Sequence, residues 1–125
     1  PLLQRALAIT ESALGPSHPD TAIHLGNLAA AYRGSGRAAE AIPLLQRALA
    51  ITESALGPSH PDTAIRLGNL AATYHDVGNA QEATTLLRRA VTIAEAALGP
   101  DHALARELDK ERLLSEAGHP GDNRA

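Results

Sequence analysis

Residues 19–57 read PDTAIHLGNLAAAYRGSGRAAEAIPLLQRALAITESALG, and residues 61–99 read PDTAIRLGNLAATYHDVGNAQEATTLLRRAVTIAEAALG. The second stretch repeats the first at a spacing of 42 residues. Self-similarity at a fixed period of this size signals a repeat architecture. Working outward, Pro1 to Ile23 recur without change as Pro43 to Ile65. Over the rest of the period only eight positions differ: His24/Arg66, Ala31/Thr73, Arg33/His75, Gly34/Asp76, Ser35/Val77, Arg37/Asn79, Ala39/Gln81 and Ile42/Thr84. A looser third copy follows from Thr85, in which Leu86, Leu87 and Ala90 match Leu44, Leu45 and Ala48, and it decays after Gly99-Pro100.

Each period reads as two helices. Leu25, Leu28, Ala29 and Tyr32 fall at i, i+3, i+4 and i+7, one stripe of a helix, and Leu67, Leu70, Ala71 and Tyr74 repeat it. Ser17 with Asp20, and Ser59 with Asp62, have capping-box spacing, and Pro19 and Pro61 suit a first helical turn. Gly36 and Gly78 end this first helix. The second helix has Ala41, Leu45, Ala48 and Leu49, repeated as Ala83, Leu87, Ala90 and Val91, and stops at Gly57-Pro58 and Gly99-Pro100. Pro43 lies inside it and is expected to bend or locally open it, since proline cannot donate the backbone bond there.

The spacing Leu25-x-x-Leu28-Ala29-x-x-Tyr32, followed by Gly36, Ala41 and Leu45, resembles the tetratricopeptide repeat in residue type and in register. The 42-residue form, with an Asn-Leu-Ala-x-x-Tyr core and a Leu-Gly-Pro-x-His loop, is similar to the repeats of kinesin light chains. It is also similar to bacterial arrays attached to signalling nucleotide-hydrolysing proteins. HEAT and armadillo repeats run near this length but lack the Leu-Ala-Tyr-Gly-Ala spacing. The resemblance implies an all-α fold, in which tandem helix-turn-helix repeats stack as a right-handed α-solenoid fragment. The expected array covers residues 1–117: 1–15 the second helix of a partial repeat, 19–57 and 61–99 the two repeats, and 101–117 a degenerate capping helix. Residues 118–125 are expected to be a disordered tail, and the opening at Pro1 in mid-repeat reads as a piece of a longer array. The cap reading rests on Asp109 and Arg112, which stand where the period calls for two leucines. A terminal repeat needs a polar outer face.

Composition narrows function. The chain has 125 residues, 44% hydrophobic, yet no Phe, Trp, Met or Cys, so its core is built from Leu, Ile, Val, Ala and two Tyr. A net charge of -3 with no basic run argues against nucleic acid. No apolar stretch reaches membrane-spanning length. The absence of Cys excludes disulfides and fits a reducing, cytoplasmic setting. His18, His60 and His102 recur one per repeat. Stacked hairpins would hold equivalent positions about 16–20 Å apart, whereas zinc ligands sit about 2 Å from one ion. These histidines are therefore expected to cap and pack a loop, and Glu11, Glu53 and Glu95 to lie on a solvated face or anchor a loop. No metalloprotease, phosphate-loop or nucleophile-elbow motif occurs. The reading is a non-enzyme without metal or cofactor.

What remains is recognition of a protein or peptide. Asn27 and Asn69 each precede a core leucine on the first helix. A side-chain amide can donate to and accept from an extended backbone whatever its sequence, or it can bond a neighbouring helix. The resemblance to kinesin light chain repeats implies the first role, in a concave groove. Positions 24, 27, 31 and 34 follow the helical period, so His24 and Asn27 share an expected face with Ala31 and Gly34. In the next copy that face has Arg66, Asn69, Thr73 and Asp76. Its variation reads either as discrimination among partners or as drift on exposed surface. The competing functional reading is self-association through the repeat ends, because Leu3, Ala6 and Leu7 open the chain without the first helix they would pack on.

Overall fold

The computed structural model describes residues 2–118 and contains six helices in that span: α1 Leu2–Leu14, α2 Pro19–Gly34, α3 Ala38–Leu56, α4 Pro61–Asp76, α5 Ala80–Leu98 and α6 Ala103–Ala117. Each helix packs on the next in chain order, the layered stacking of an α-solenoid. α2 with α3 and α4 with α5 are the two hairpins, and α6 stands in first-helix register one period after α4. Of the expected tail, only Gly118, which caps α6, is described; the remainder lies outside the described residues. No described helix is long and apolar enough to cross a membrane.

The first-helix starts bear out the expected histidine caps and correct the expected serine capping box. The cap is histidine, not serine: Nδ1 of His18, His60 and His102 accepts the backbone N–H of Asp20, Asp62 and Leu104 at 3.0, 3.0 and 3.1 Å. Each histidine directly precedes the helix in an extended conformation, so its ring reaches an N–H that the helix cannot satisfy itself. Ser17 and Ser59 are one residue too far out to serve as the cap. The loop before each cap turns at Gly15 and Gly57, whose φ of 99° and 103° would strain any residue with a side chain. Thr21 and Thr63, fully buried, donate their hydroxyls to these two glycine carbonyls at 2.8 and 2.7 Å. A seven-residue stretch of loop and helix start is thereby tied to itself in each repeat.

α3 runs unbroken through Pro43 and has the same length as α5, 19 residues. Pro43 is the sixth residue of the helix, is exposed, and leaves only the Ala39 carbonyl without its usual donor. The expected local opening is absent because that carbonyl lies near a helix end.

The core follows the predicted stripes. Leu25, Ala29, Ala41, Ala48, Leu67, Ala71, Ala83, Leu87 and Ala90 have almost no accessible surface. Alanines at the crossings let the helices approach closely, which is how a core without Phe, Trp or Met fills its space. Polar bonds repeat between layers. Arg47 donates to Glu11 at 2.6 Å and Arg89 donates to Glu53, so these glutamates anchor the following second helix. Gln4 and Gln46 donate to the hydroxyls of Tyr32 and Tyr74 at 3.1 and 3.2 Å.

The outer face of α6 differs in kind. Where α4 buries Leu67 and Leu70, α6 places Asp109 and Arg112, joined at 2.6 Å, and Arg112 also reaches Glu116 at 3.0 Å. Covering this ion-paired face would strip water from three charges without offering them better partners.

Candidate partner-binding face

Leu25, Leu28 and Ala29 turn α2 toward the core, and Leu67, Leu70 and Ala71 do the same for α4. Opposite them runs an exposed column. On α2 it is Ile23, Asn27, Ala30 and Gly34; on α4 it is Ile65, Asn69, Ala72 and Asp76, with Ala72 half-buried. These are i, i+4, i+7 and i+11 positions, in register between the two helices. One period later the column continues on α6 as Glu107, Glu111 and Leu114, the leucine 65% exposed.

Asn27 and Asn69 are both exposed in this column, and among the described residues neither side chain makes a hydrogen bond to a neighbouring helix. Asp76 is exposed too, and its Oδ2 accepts from Arg33 Nε at 2.7 Å, linking the ends of the two first helices.

Of the other predicted positions, one is overturned and two lie in a seam between helices. Thr73 is fully buried, its hydroxyl donated to the Asn69 carbonyl at 2.8 Å, so it cannot touch a partner. Arg66 is half-buried in the seam between α2 and α4: a Cβ on Gly26 would lie 2.9 Å from Arg66 Nη1. Burial lowers the Arg66 pKa, an effect that Asp62 partly offsets. Leu108 occupies the equivalent place on α6 and packs against Gly68, a Cβ there lying 3.0 Å from its Cδ2. Positions 24, 66 and 108 thus form a seam series, with His24, half-buried, as its first member. The physical reason is angular. At 100° per residue, the 24/27/31/34 face is rotated roughly 50° from the exposed 23/27/30/34 column. It therefore straddles solvent and seam.

Three residues missed in the sequence complete the site: His75, Glu111 and Leu114. With Arg33, Ala72, Asp76, Leu87 and Ser115 they line a cavity of about 300 Å³ between α4 and α6. His75 is held by a buried network, its Nε2 2.9 Å from Ser115 Oγ, which in turn is 2.6 Å from Thr84 Oγ1. Glu111 makes no ion pair with a described residue. Its pKa is raised by burial first and by Glu107 second, and His75 pulls it partly back. The available signal was Glu111 itself, which falls 42 residues after Asn69. Among the described residues no cluster of His, Asp or Glu could hold a metal ion.

The tetratricopeptide repeat family matches residues 1–54 and 25–96. The chain belongs to this family. Its repeats are similar to those in the crystal structure of a candidate kinesin light chain from Podosopora anserina, which has nearly identical TPR-like repeats. The identity is 31% over 91% of this chain, with a TM-score of 0.83. A single-substitution form of the same fungal protein matches equally well. This chain spans 54% of the length of those proteins. No curated protein matches it. Tetratricopeptide repeats are in general scaffolds for protein–protein interaction rather than enzymes, and this chain has their architecture.

Proposed function

We propose that this tetratricopeptide repeat array binds an extended segment of a protein partner along the first helices α2, α4 and α6, on the concave side of the solenoid. The observation behind the reading is the in-register column that contains Asn27 and Asn69, both exposed and without side-chain bonds to other described residues. Free amides at equal intervals can each exchange a donor and an acceptor with a peptide backbone. Exposed Ile23 and Ile65 beside them supply apolar contact. Asp76 with Arg33 adds charge at the far end of the column, where it acts on specificity and encounter rate more than on affinity. The partner class is protein rather than nucleic acid, in keeping with the acidic net charge, and neither cofactor nor catalysis enters the reading.

The test is the double substitution Asn27→Ala with Asn69→Ala. Partners captured by the intact chain are titrated calorimetrically against both forms. Each lost bond contributes on the order of 1 kcal/mol, so affinity should fall roughly tenfold to several hundredfold, at 1.4 kcal/mol per decade. A folded double variant that binds as tightly as the parent refutes the groove. A variant that melts assigns the asparagines to the fold instead.

Self-association is the second reading, and one observation favours it. Ile9 on α1 is 62% exposed, while its equivalents Ile51 and Ile93 are buried. Leu2 is also exposed, whereas Leu7 is buried and Leu3 and Ala6 are half-buried. Against it stand the ion-paired Asp109, Arg112 and Glu116 on α6, which would be desolvated by head-to-tail stacking, although Leu113 beside them is exposed. Sedimentation velocity on the same samples decides: a concentration-dependent dimer abolished by Ile9→Glu would favour association through α1.

A further inference from the structure

The groove contains three equivalent rungs, and the third differs chemically from the first two. Asn27 and Asn69 present neutral amides, while Glu111, one period on, presents a carboxylate. It does so in the lining of the cavity between α4 and α6, whose apolar residues are Ala72, Leu87 and Leu114. The charges around this cavity do not cancel. Arg33 is taken by Asp76 at 2.7 Å, and the Nε2 of His75 is engaged by Ser115. Glu107 lies one turn from Glu111 on the same helix, and neither forms an ion pair among the described residues. The nearby cations of α6, Arg106 and Lys110, line separate cavities, with Asp109 and Leu113 on one side and Ala103 and Glu107 on the other.

We propose that this cavity receives one lysine or arginine side chain of the partner segment, its aliphatic stem on Ala72, Leu87 and Leu114 and its cationic end against Glu111. The proposal rests on the groove reading above and gives that groove a polarity: backbone is gripped at Asn27 and Asn69, and a basic residue is read at α6. Shape and charge agree. A long basic side chain buries its stem on apolar surface while its charged end seeks an opposite charge at the rim. A purely apolar side chain would bury Glu111 further without pairing it, which is unfavourable. An acidic side chain would meet the Glu111 carboxylate and repel it. The partly buried setting of Glu111 also strengthens any pair it makes relative to one in open water.

A display library of short linear peptides, panned on the intact chain, tests this directly. Sequences retained by the parent and lost on the Asn27→Ala/Asn69→Ala form should share a Lys or Arg at one fixed position. Glu111→Gln should erase that preference, and Glu111→Lys should turn it toward Asp or Glu. In a selected peptide, replacing the lysine by norleucine keeps the stem and removes the charge. Affinity should fall about tenfold on the parent and not at all on Glu111→Gln. Circular dichroism verifies that each variant is folded, and Glu111→Ala serves in its place if Glu111→Gln is not. Asparagine-dependent peptides with no basic preference overturn this inference and leave the groove standing. If no asparagine-dependent peptide is retained, the groove reading falls and this inference falls with it.

Discussion

Gly26 and Gly68 occupy the same place in successive repeats, yet the seam predicts opposite signs for Gly26→Ala and Gly68→Ala. Both glycines lie inside helices, where alanine is favoured by about 0.5–1 kcal/mol. At Gly26 the new methyl would meet Arg66 Nη1 at 2.9 Å, the far end of a flexible side chain that can swing toward solvent. The propensity gain should survive, for a net stabilisation of roughly 0.5 kcal/mol or more. At Gly68 the methyl would meet Leu108 Cδ2 at 3.0 Å, and Leu108 is only 3% exposed. A leucine held on all sides cannot move aside, and overpacking costs about 1–3 kcal/mol. The net should be a loss of up to roughly 2 kcal/mol, centred on the docking of α6. Urea denaturation followed by circular dichroism reads both. With a slope of about 2 kcal/mol per molar, Gly26→Ala should raise the midpoint by about 0.3 M and Gly68→Ala lower it by up to about 1 M. Hydrogen exchange should place the second loss in α6. Equal midpoint gains in the two variants would show that Leu108 is not clamped in the seam, and the argument that the seam is tight would fail.

Leu70→Ala should cost roughly 2–5 kcal/mol, since its side chain is buried in the stripe of α4. Asp76→Ala should cost less than about 1 kcal/mol, because the Arg33 pair it breaks is substantially exposed; comparable losses in chemical denaturation would mean that the faces are misassigned. Glu111→Gln should raise thermal stability near neutral pH. The folded pKa of Glu111 is above its ordinary value, so its ionisation opposes folding, and that penalty disappears as pH falls through the folded pKa. Melting curves of parent and variant should converge near pH 4, and a gap independent of pH would rule out the ionisation as its cause.

The period and the apolar stripes were legible from residues alone, because a repeat states its own register and leucine spacing fixes the buried side of each helix. What the spacing did not resolve was the azimuth of the remaining surface. Thr73 and Arg66 look like ordinary exposed substitutions beside Asn69, and only the neighbouring helix decides that one is sealed and the other lies along a glycine. Gly26 and Gly68 were the missed signal. A glycine inside a strongly helical pattern marks a close approach, and the seam residue facing each glycine comes from the next repeat. The caps illustrate the same limit on a smaller scale. Serine and histidine stand side by side before each proline, both able to accept, and only the extended backbone at the histidine selects between them.

α6 shows how a repeat can lose its sequence and keep its geometry. Scored against the leucine stripe it has failed, since Asp109 and Arg112 replace Leu67 and Leu70. Scored against the seam it has not: Leu108 fills the place of Arg66, and Ser115, buried like Thr73, bonds to His75 and Thr84. The residues that changed belong to the side where a further second helix would pack. The residues that remain compatible hold α6 on α4 and α5. Docked by that side alone, α6 is free to vary its exposed column, and there the amide of the earlier rungs becomes Glu111 beside Glu107 and an exposed Leu114. A carboxylate set partly out of water beside Glu107, with His75 offsetting that only in part, opposes folding rather than aiding it. Stability alone therefore gives no reason for its place, whereas the proposed recognition of a basic side chain would.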